Sequence, residues 1–421
     1  MKKIAILFPG QGSQYAGLGK GIYEKYPVTR NVFNEANEVL GFDLAKLCFE
    51  GSLEELTQTE NAQPAILTVS VAMFEIYRQE IGIDPQFAAG HSLGEITALT
   101  CAGATRFSDA VKLVRQRGLL MRDAMKKGEG AMAAIAGIEQ TEVQAVCTKL
   151  NNGDNVLVIS NDNSPDQVVI SGHKSLVDEA GKILTGKGAK VVPLKVSAPF
   201  HSPLMQPAAE QFTAELKKYD YQPMKWPVIS NVTGMPYQDS SQIVSLLTEQ
   251  MTHPVLWRET IAYLKNQGTE MAVEIGPQTV LRNLMKSNAP LIRAFSYDKE
   301  EDVRNLKNTV ATPPSGMVKS RDFQHTVVTK CIQIAICTRN RNWDNDEYQK
   351  GVVEPYRKIQ KIQEELEKSN QEPTLEQMKE ALDMLKSVFV TKKTPRDEQI
   401  ERFNEVFDTT GTRHLFPDFV S

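Results

Sequence analysis

Several things that would place this chain at once are scarce or missing. Cysteine is rare: five residues in 421 (Cys48, Cys101, Cys147, Cys331 and Cys337), odd in number and widely scattered, so no disulfide framework is expected. Three of them lie in apolar patterns and read as reduced, buried thiols. Cys331 and Cys337 stand apart from other ligand types, which speaks against zinc. Basic charge is not in excess, since the net charge is −4, and a nucleic-acid-binding face is therefore not expected. Long hydrophobic runs are absent as well, and none approaches the ~20 residues of a membrane span. The apolar start Ile4-Ala5-Ile6-Leu7-Phe8 is cut by Pro9-Gly10, too short for a signal-peptide core, and reads as a first β-strand. A cytoplasmic protein without membrane or nucleic-acid partners is expected.

What is present is a 41% hydrophobic composition, enough to bury a large core over two or three domains. Residues 3–8 form a buried strand, followed by the loop Gly10-Gln11-Gly12-Ser13-Gln14. Helical patterns cover roughly 29–40, 53–56 and 65–81, the last preceded by Asn61-Ala62-Gln63-Pro64, and later 95–103 and 108–126. Strands alternating with helices predict a mainly parallel sheet covered on both faces. From Gly128 the order becomes β-α-β-β-α-β: strand 131–137, helix 141–150, strands 156–161 and 167–171 around a turn at 162–166, helix 176–184, strand 189–196. That order is the ferredoxin-like unit, predicted as an insert whose cleft with the larger domain is a natural binding site. The large domain resumes with helix 203–218, strand 226–231, helices 243–250 and 254–267, strand 271–275, helix 278–287 and strand 291–295.

The fold class is thus α/β: a large α/β-hydrolase-like domain at 1–127 plus 197–310, a ferredoxin-like subdomain at 128–196, and a mainly α-helical extension at 311–421. Thr312-Pro313-Pro314-Ser315-Gly316 reads as a linker. In the extension, residues 328–336 fit either helix or strand and 354–368 is helical. Thr374 with Gln377 is a capping box for a helix to about Val390. Pro395 reads as the first position of a helix to about Phe407.

The chemistry centres on Gly90-His91-Ser92-Leu93-Gly94-Glu95, which holds Gly-x-Ser-x-Gly, the sharp strand-to-helix turn that exposes a serine hydroxyl. Glycines let the backbone take the cramped turn, and the helix start behind the serine offers free N–H groups. The same pattern also occurs in ordinary turns. A hydroxyl nucleophile needs a base, and only six histidines are available. His91 adjoins the serine and should point away from its hydroxyl, whereas His201, where the chain leaves the insert, can face Ser92 across the cleft. A histidine packed at a domain seam fits that position equally well.

Gly10-Gln11-Gly12-Ser13-Gln14, Gln63-Pro64-Ala65, Gly90-His91-Ser92-Leu93-Gly94-Glu95, Arg117-Gly118 and Phe200-His201-Ser202, in this order and spacing, resemble the malonyl-CoA:acyl-carrier-protein transacylases. Ser164-Pro165, Ile229-Ser230-Asn231-Val232 and Glu274-Ile275-Gly276-Pro277 agree with it. The resemblance covers about residues 1–300 and is expected to stop before the last hundred. It implies Ser92 as the nucleophile that accepts the acyl group and His201 as general base, oriented by the backbone carbonyl of Gln250. The backbone N–H groups of Gln11 and Leu93 would form the oxyanion hole. Arg117, otherwise readable as a surface arginine of an amphipathic helix, would hold the substrate carboxylate. Gln63, His91 and Phe200 would line the pocket, with the Phe200 ring leaving little room for an α-methyl branch. The substrate would be malonyl-CoA and the partner an acyl carrier protein bearing phosphopantetheine, with no bound cofactor and no metal. The work would be fatty acid or polyketide synthesis. Two other classes stay open, a hydrolase that clears carrier proteins and a non-catalytic carrier-binding module. The extension has two open roles, docking a carrier protein or synthase, or packing on the catalytic core.

Overall fold

The computed structural model describes residues 3–126, 128–151, 155–194, 196, 198–311, 326–342, 344–369, 371–416 and 419. The linker reading at 312–316 lies outside them. The chain divides into two compact units, Met1–Pro314 and Ser315–Ser421. Among the described residues no helix is long and apolar enough to cross a membrane.

The first unit starts with β1 (Ile4–Phe8), whose five residues are all buried, as a strand inside a parallel sheet must be. Helices α1 (Lys20–Lys25), α2 (Pro27–Leu40), α3 (Leu44–Glu50), α4 (Leu53–Thr57) and α5 (Thr59–Glu80) precede β2 (Phe87–Gly90). Sequence reading missed α1 and α3, short helices with little room for a period to show. It also started α5 six residues late, at Pro64's successor. Proline ends helices because it strands the carbonyl four residues back. Here that carbonyl, on Glu60, accepts a hydrogen bond from Arg115 Nη1 (2.6 Å), so the helix runs through the proline.

Helices α6 (Leu93–Cys101) and α7 (Phe107–Asp123) follow, then β3 (Gly130–Ala136), α8 (Gln140–Leu150), β4 (Leu157–Ser164), β5 (Gln167–His173), α9 (Lys174–Gly186) and β6 (Lys190–Pro193). These four strands pair antiparallel in the order β4-β5-β3-β6. Strand β4 continues to Ser164 where a turn from residue 162 is predicted, leaving only Pro165 and Asp166 as the turn. Its end is held from outside the sheet: Asp162 N–H donates to Val255 O (3.0 Å) and Val255 N–H to Ser160 O (2.9 Å). Arg258 Nη2 lies 2.9 Å from Asp162 Oδ2.

The unit closes with α10 (Gln206–Leu216), β7 (Val228–Ile229), α11 (Ile243–Gln250), α12 (Trp257–Asn266), β8 (Met271–Glu274), α13 (Val280–Asn288), β9 (Arg293–Ser296) and α14 (Glu300–Ala311). Helix α12 begins later than predicted because Val255 is spent on the bridge to β4. Strands β7-β2-β1-β8-β9 form one parallel sheet in that order. Ligands of open parallel sheets bind outside the carboxyl ends of the strands, and it is from those ends that this site is built.

In the second unit, α15 (Val327–Cys337) resolves the ambiguous stretch as helix, with Val328, Cys331, Ile334 and Ala335 buried on one face. It is followed by α16 (Asn345–Tyr348), a π-helical turn, α17 (Glu354–Ser369), α18 (Leu375–Thr391) and α19 (Arg396–Thr410). Both bonds of the Thr374–Gln377 capping box are made. Pro395 stands one place earlier than predicted, as the N-cap of α19 with extended backbone rather than its first helical residue. These helices share their own apolar core, centred on Leu385, Val388 and Phe389.

Candidate active site

Ser92 sits between the end of β2 and the start of α6 with φ 52° and ψ −106°, a conformation that costs a non-glycine residue of order 1–3 kcal/mol. The turn persists because both glycines are indispensable. A Cβ on Gly90 would come within 1.9 Å of the Gly94 carbonyl group, and one on Gly94 within 2.0 Å of Phe8 O. Asn231, just beyond β7, locks the turn from the other side. Its Oδ1 accepts the Ser92 N–H (2.7 Å) and its Nδ2 donates to Gly90 O (2.7 Å).

His201 Nε2 lies 2.8 Å from Ser92 Oγ, and its Nδ1 lies 2.7 Å from the carbonyl oxygen of Gln250 at the end of α11. A carbonyl can only accept, so Nδ1 carries the proton and the Nε2 lone pair faces the hydroxyl. His201 also has a left-handed backbone, φ 56°. Burial, and then the charge of Arg117, push its imidazole down to about 3.

Arg117 is 1% exposed. It lies on the apolar stripe of α7 with Ala110, Val114 and Met121, spaced by three or four residues, while Arg115 two places earlier points elsewhere. That stripe is a signal the sequence held for reading Arg117 as buried. Its Nη1 donates to Gln63 Oε1 (2.9 Å), and its Nη2 to Gln250 Oε1 (2.8 Å) and Ser92 Oγ (3.1 Å). Among the described residues no carboxylate lies within ion-pair distance, and Nε has no partner. Burial lowers this guanidinium to about 10.

Behind these groups stands a carboxylate to which the sequence reading gave no role. Glu95 Oε2 accepts from Gln250 Nε2 (2.6 Å) and from the Asn231 N–H (3.0 Å), while Oε1 accepts from the Tyr237 hydroxyl. Burial pushes the Glu95 carboxyl up to about 7. The Gln250 amide thereby has a fixed direction: its NH2 must face the acceptor carboxylate, so its oxygen faces Arg117. Glu95 and Asn231 both stand in motifs visible in the sequence, but their function needs partners far along the chain.

Gln11 follows β1, and Leu93 is the first residue of α6, where helix N–H groups have no internal acceptor. Neither backbone N–H has an acceptor among the described residues. His91 turns away from the serine, its Nε2 2.8 Å from Asn163 Oδ1 and its ring 5.6 Å from that of Trp257. Gln63 is fully buried and directs its Nε2 at Met121 Sδ (3.4 Å), and Phe200 is buried beside His201. A groove of about 1650 Å³ runs between the ends of α4 and α7 and the β3–α9–β6 face, with Arg122, Lys126, Lys174 and Lys182 on its walls beside the carboxylates Glu54, Glu60, Asp123 and Asp178. Ser92 and His201 are not among its lining residues. It touches the site at Thr59, whose Oγ1 accepts from Gln11 Nε2 (3.2 Å).

Comparison with known proteins gives a consistent result. The family model described as an acyl transferase domain matches residues 6–314. A malonyl CoA-acyl carrier protein transacylase of Bacillus subtilis is 39% identical over 400 residues, covering 95% of this chain and 99% of that protein. The transacylase of Escherichia coli (strain K12) is 42% identical over 300 residues, covering 71% of this chain and 97% of its own. Among solved structures, the transacylase of Coxiella burnetii superposes with a TM-score of 0.71 at 39% identity, covering 73% of this chain and 98% of that one. A malonyl-transacylase in complex with a type II polyketide synthase acyl-carrier protein matches with a TM-score of 0.70 at 38% identity, covering 73% and 100%. The 400-residue match is too long to stop at residue 314, so likeness extends into the second unit, contrary to the expectation from the sequence motifs.

Proposed function

The chain belongs to the acyl transferase family, among the malonyl CoA-acyl carrier protein transacylases, and from that premise we propose that Ser92 carries the malonyl group between malonyl-CoA and the phosphopantetheine thiol of an acyl carrier protein. Ser92 Oγ attacks the thioester carbonyl while its proton passes to His201 Nε2. The tetrahedral oxyanion is held by the free N–H groups of Gln11 and Leu93. The C–S bond then breaks, and the proton on His201 goes to the departing CoA sulfur. The carrier-protein thiol reverses the sequence, giving its proton to His201 and taking the malonyl group from Ser92.

The observation that carries this reading is Arg117. Among the described residues no carboxylate lies in ion-pair distance of this buried cation, and Glu95 acts on it only from beyond the Gln250 amide. Such a charge is costly, by several kcal/mol, unless an anion arrives to pair with it. The malonyl carboxylate is such an anion, and a guanidinium fork suits it. Its arrival would also draw the Nη2 N–H away from Ser92 Oγ and offset the Arg117 charge, which adds to burial in keeping His201 weakly basic. A carboxylate-bearing donor thereby strengthens its own catalyst. Phe200 supports unbranched malonyl, and the groove that reaches the site at Thr59 supports a path for the pantetheine arm. A hydrolytic role finds no support in a site built around a carboxylate clamp. The β-α-β-β-α-β order and its antiparallel pairing favour a ferredoxin-like insert at about 128–196.

The test is intact-mass detection of the enzyme after malonyl-, methylmalonyl- and acetyl-CoA are offered in competition. A malonyl adduct on Ser92 that is discharged by carrier protein is expected. Release of free malonate instead would favour a hydrolase, and no adduct at all a carrier-binding module.

The second unit, we infer, serves docking of a carrier protein or synthase in polyketide or fatty acid synthesis, because its helices have a core of their own and hold none of the site residues. Deleting residues 312–421 is expected to leave Ser92 malonylation intact and to slow transfer to one carrier protein among several assayed. Lost folding would instead assign the unit a packing role.

A further inference from the structure

The two oxyanion donors are not equally well supported. Leu93 is part of α6 and moves only with the helix. Gln11 lies in a loop without secondary structure, yet its N–H must point within a few tenths of an ångström of the same spot. That loop is held by Thr59, whose Oγ1 accepts from Gln11 Nε2 (3.2 Å), by its own Ser13 Oγ–Gly10 O bond (2.8 Å), and by a second loop, the one beyond β8.

Gln278 in that second loop has φ 66°, left-handed and unfavourable for a side chain that makes no local bond of its own. Such strain persists only where the surroundings over-determine it. All the polar groups of Gln278 involved are committed: its N–H to Asp298 Oδ2 (3.0 Å), its carbonyl to Ser296 Oγ (2.6 Å), and its Nε2 to Ser13 O (3.0 Å) and Gln14 O (3.5 Å). Carbonyl oxygens only accept, so the side-chain amide must present its NH2 to them. Gln14 passes the constraint on, because its Oε1 accepts the Gly12 N–H (2.8 Å) and its Nε2 reaches Thr57 Oγ1 (3.4 Å). Tyr15 adds a second tie to the same anchor through Asp298 Oδ1 (3.2 Å).

We propose that Gln278 is a positioning residue for the oxyanion hole: its left-handed backbone is kept so that its amide can tether the 10–14 loop and aim the Gln11 N–H. The inference rests on the oxyanion role given to Gln11 above. A purely structural glutamine at this φ would be improved by glycine, which relieves the strain. A tether would not be, so the two effects separate in one variant.

The experiment compares Gln278→Gly, Gln278→Ala and Gln278→Lys in the full chain, measuring the single-turnover rate of Ser92 malonylation, KM for malonyl-CoA, malonyl-over-acetyl preference and Tm. In Gln278→Gly the acylation rate is expected to fall about tenfold, a fraction of the loss from removing an oxyanion donor outright. KM and donor preference should stay unchanged, with Tm equal or higher. Gln278→Ala should lose rate and Tm together, and Gln278→Lys, whose ammonium can donate to both carbonyls, should recover most of the rate. Native acylation by Gln278→Gly overturns the proposal, as does a loss that lysine fails to restore. If the unsubstituted enzyme itself forms no Ser92 acyl-enzyme, the functional reading has failed and this inference with it.

Discussion

Ser92→Ala is expected to abolish the acyl-enzyme and to reduce transfer of radiolabelled malonyl to carrier protein by at least about a thousandfold, the scale on which nucleophile removal acts in serine-dependent acyl transfer. The loss should be chemical. Among the described residues Ser92 Oγ bonds only His201 and Arg117, whereas the bonds that lock the turn run through its backbone N–H and the Gly90 carbonyl to Asn231. An alanine there inherits the same backbone, so Tm should move little. His201→Ala should reach a similar floor, and the double variant should fall hardly further, since the two groups act as one unit. Native-rate transfer by Ser92→Ala, measured on a protein with unchanged Tm, would remove the serine from the mechanism.

Arg117→Ala is expected to invert donor preference. Malonyl-CoA loses a buried charge-assisted pair, an interaction whose truncation costs about 2–5 kcal/mol, so kcat/KM should drop by roughly thirtyfold to several thousandfold. Acetyl-CoA, which never used the clamp, should gain. Two restraints on the catalyst disappear with the guanidinium: the donor bond to Ser92 Oγ at 3.1 Å, and the positive charge that helps hold His201 at about 3. The imidazole becomes a better base whatever the acyl group. Alanine also leaves a cavity facing Gln63 Oε1 and Gln250 Oε1, so Arg117→Met, closer in volume, is the companion variant. Competition between the two CoA esters reads the result directly, and unchanged selectivity in both variants would sink the carboxylate clamp.

Short-range constraints were legible in the sequence. Gly90 and Gly94 around Ser92 encode a strand–turn–helix corner within five residues, so the candidate nucleophile could be read from chemistry at hand. The alternation of apolar strands with helices fixed the class of sheet, and the Thr374–Gln377 box one helix start. Pro64 misled because its cost is removed by Arg115, which is far away in sequence.

The chain alone therefore determined that Ser92 would be lifted out at a strand end with helix N–H groups behind it, and that His201 and Arg117 were candidates to join it. Only the tertiary structure decided what surrounds them. Parallel pairing sets the ends of β1, β2, β7 and β8 side by side, and thereby brings Gln11, Ser92, Asn231 and Gln278 into one cluster. Glu95 fixes the Gln250 side-chain amide with its oxygen toward Arg117, while the Gln250 backbone carbonyl, at the end of α11, accepts from His201. Each of those bonds is a matter of direction between groups on different elements. A pattern of residue types along the chain carries no direction, and the packing of strands and helices supplies it.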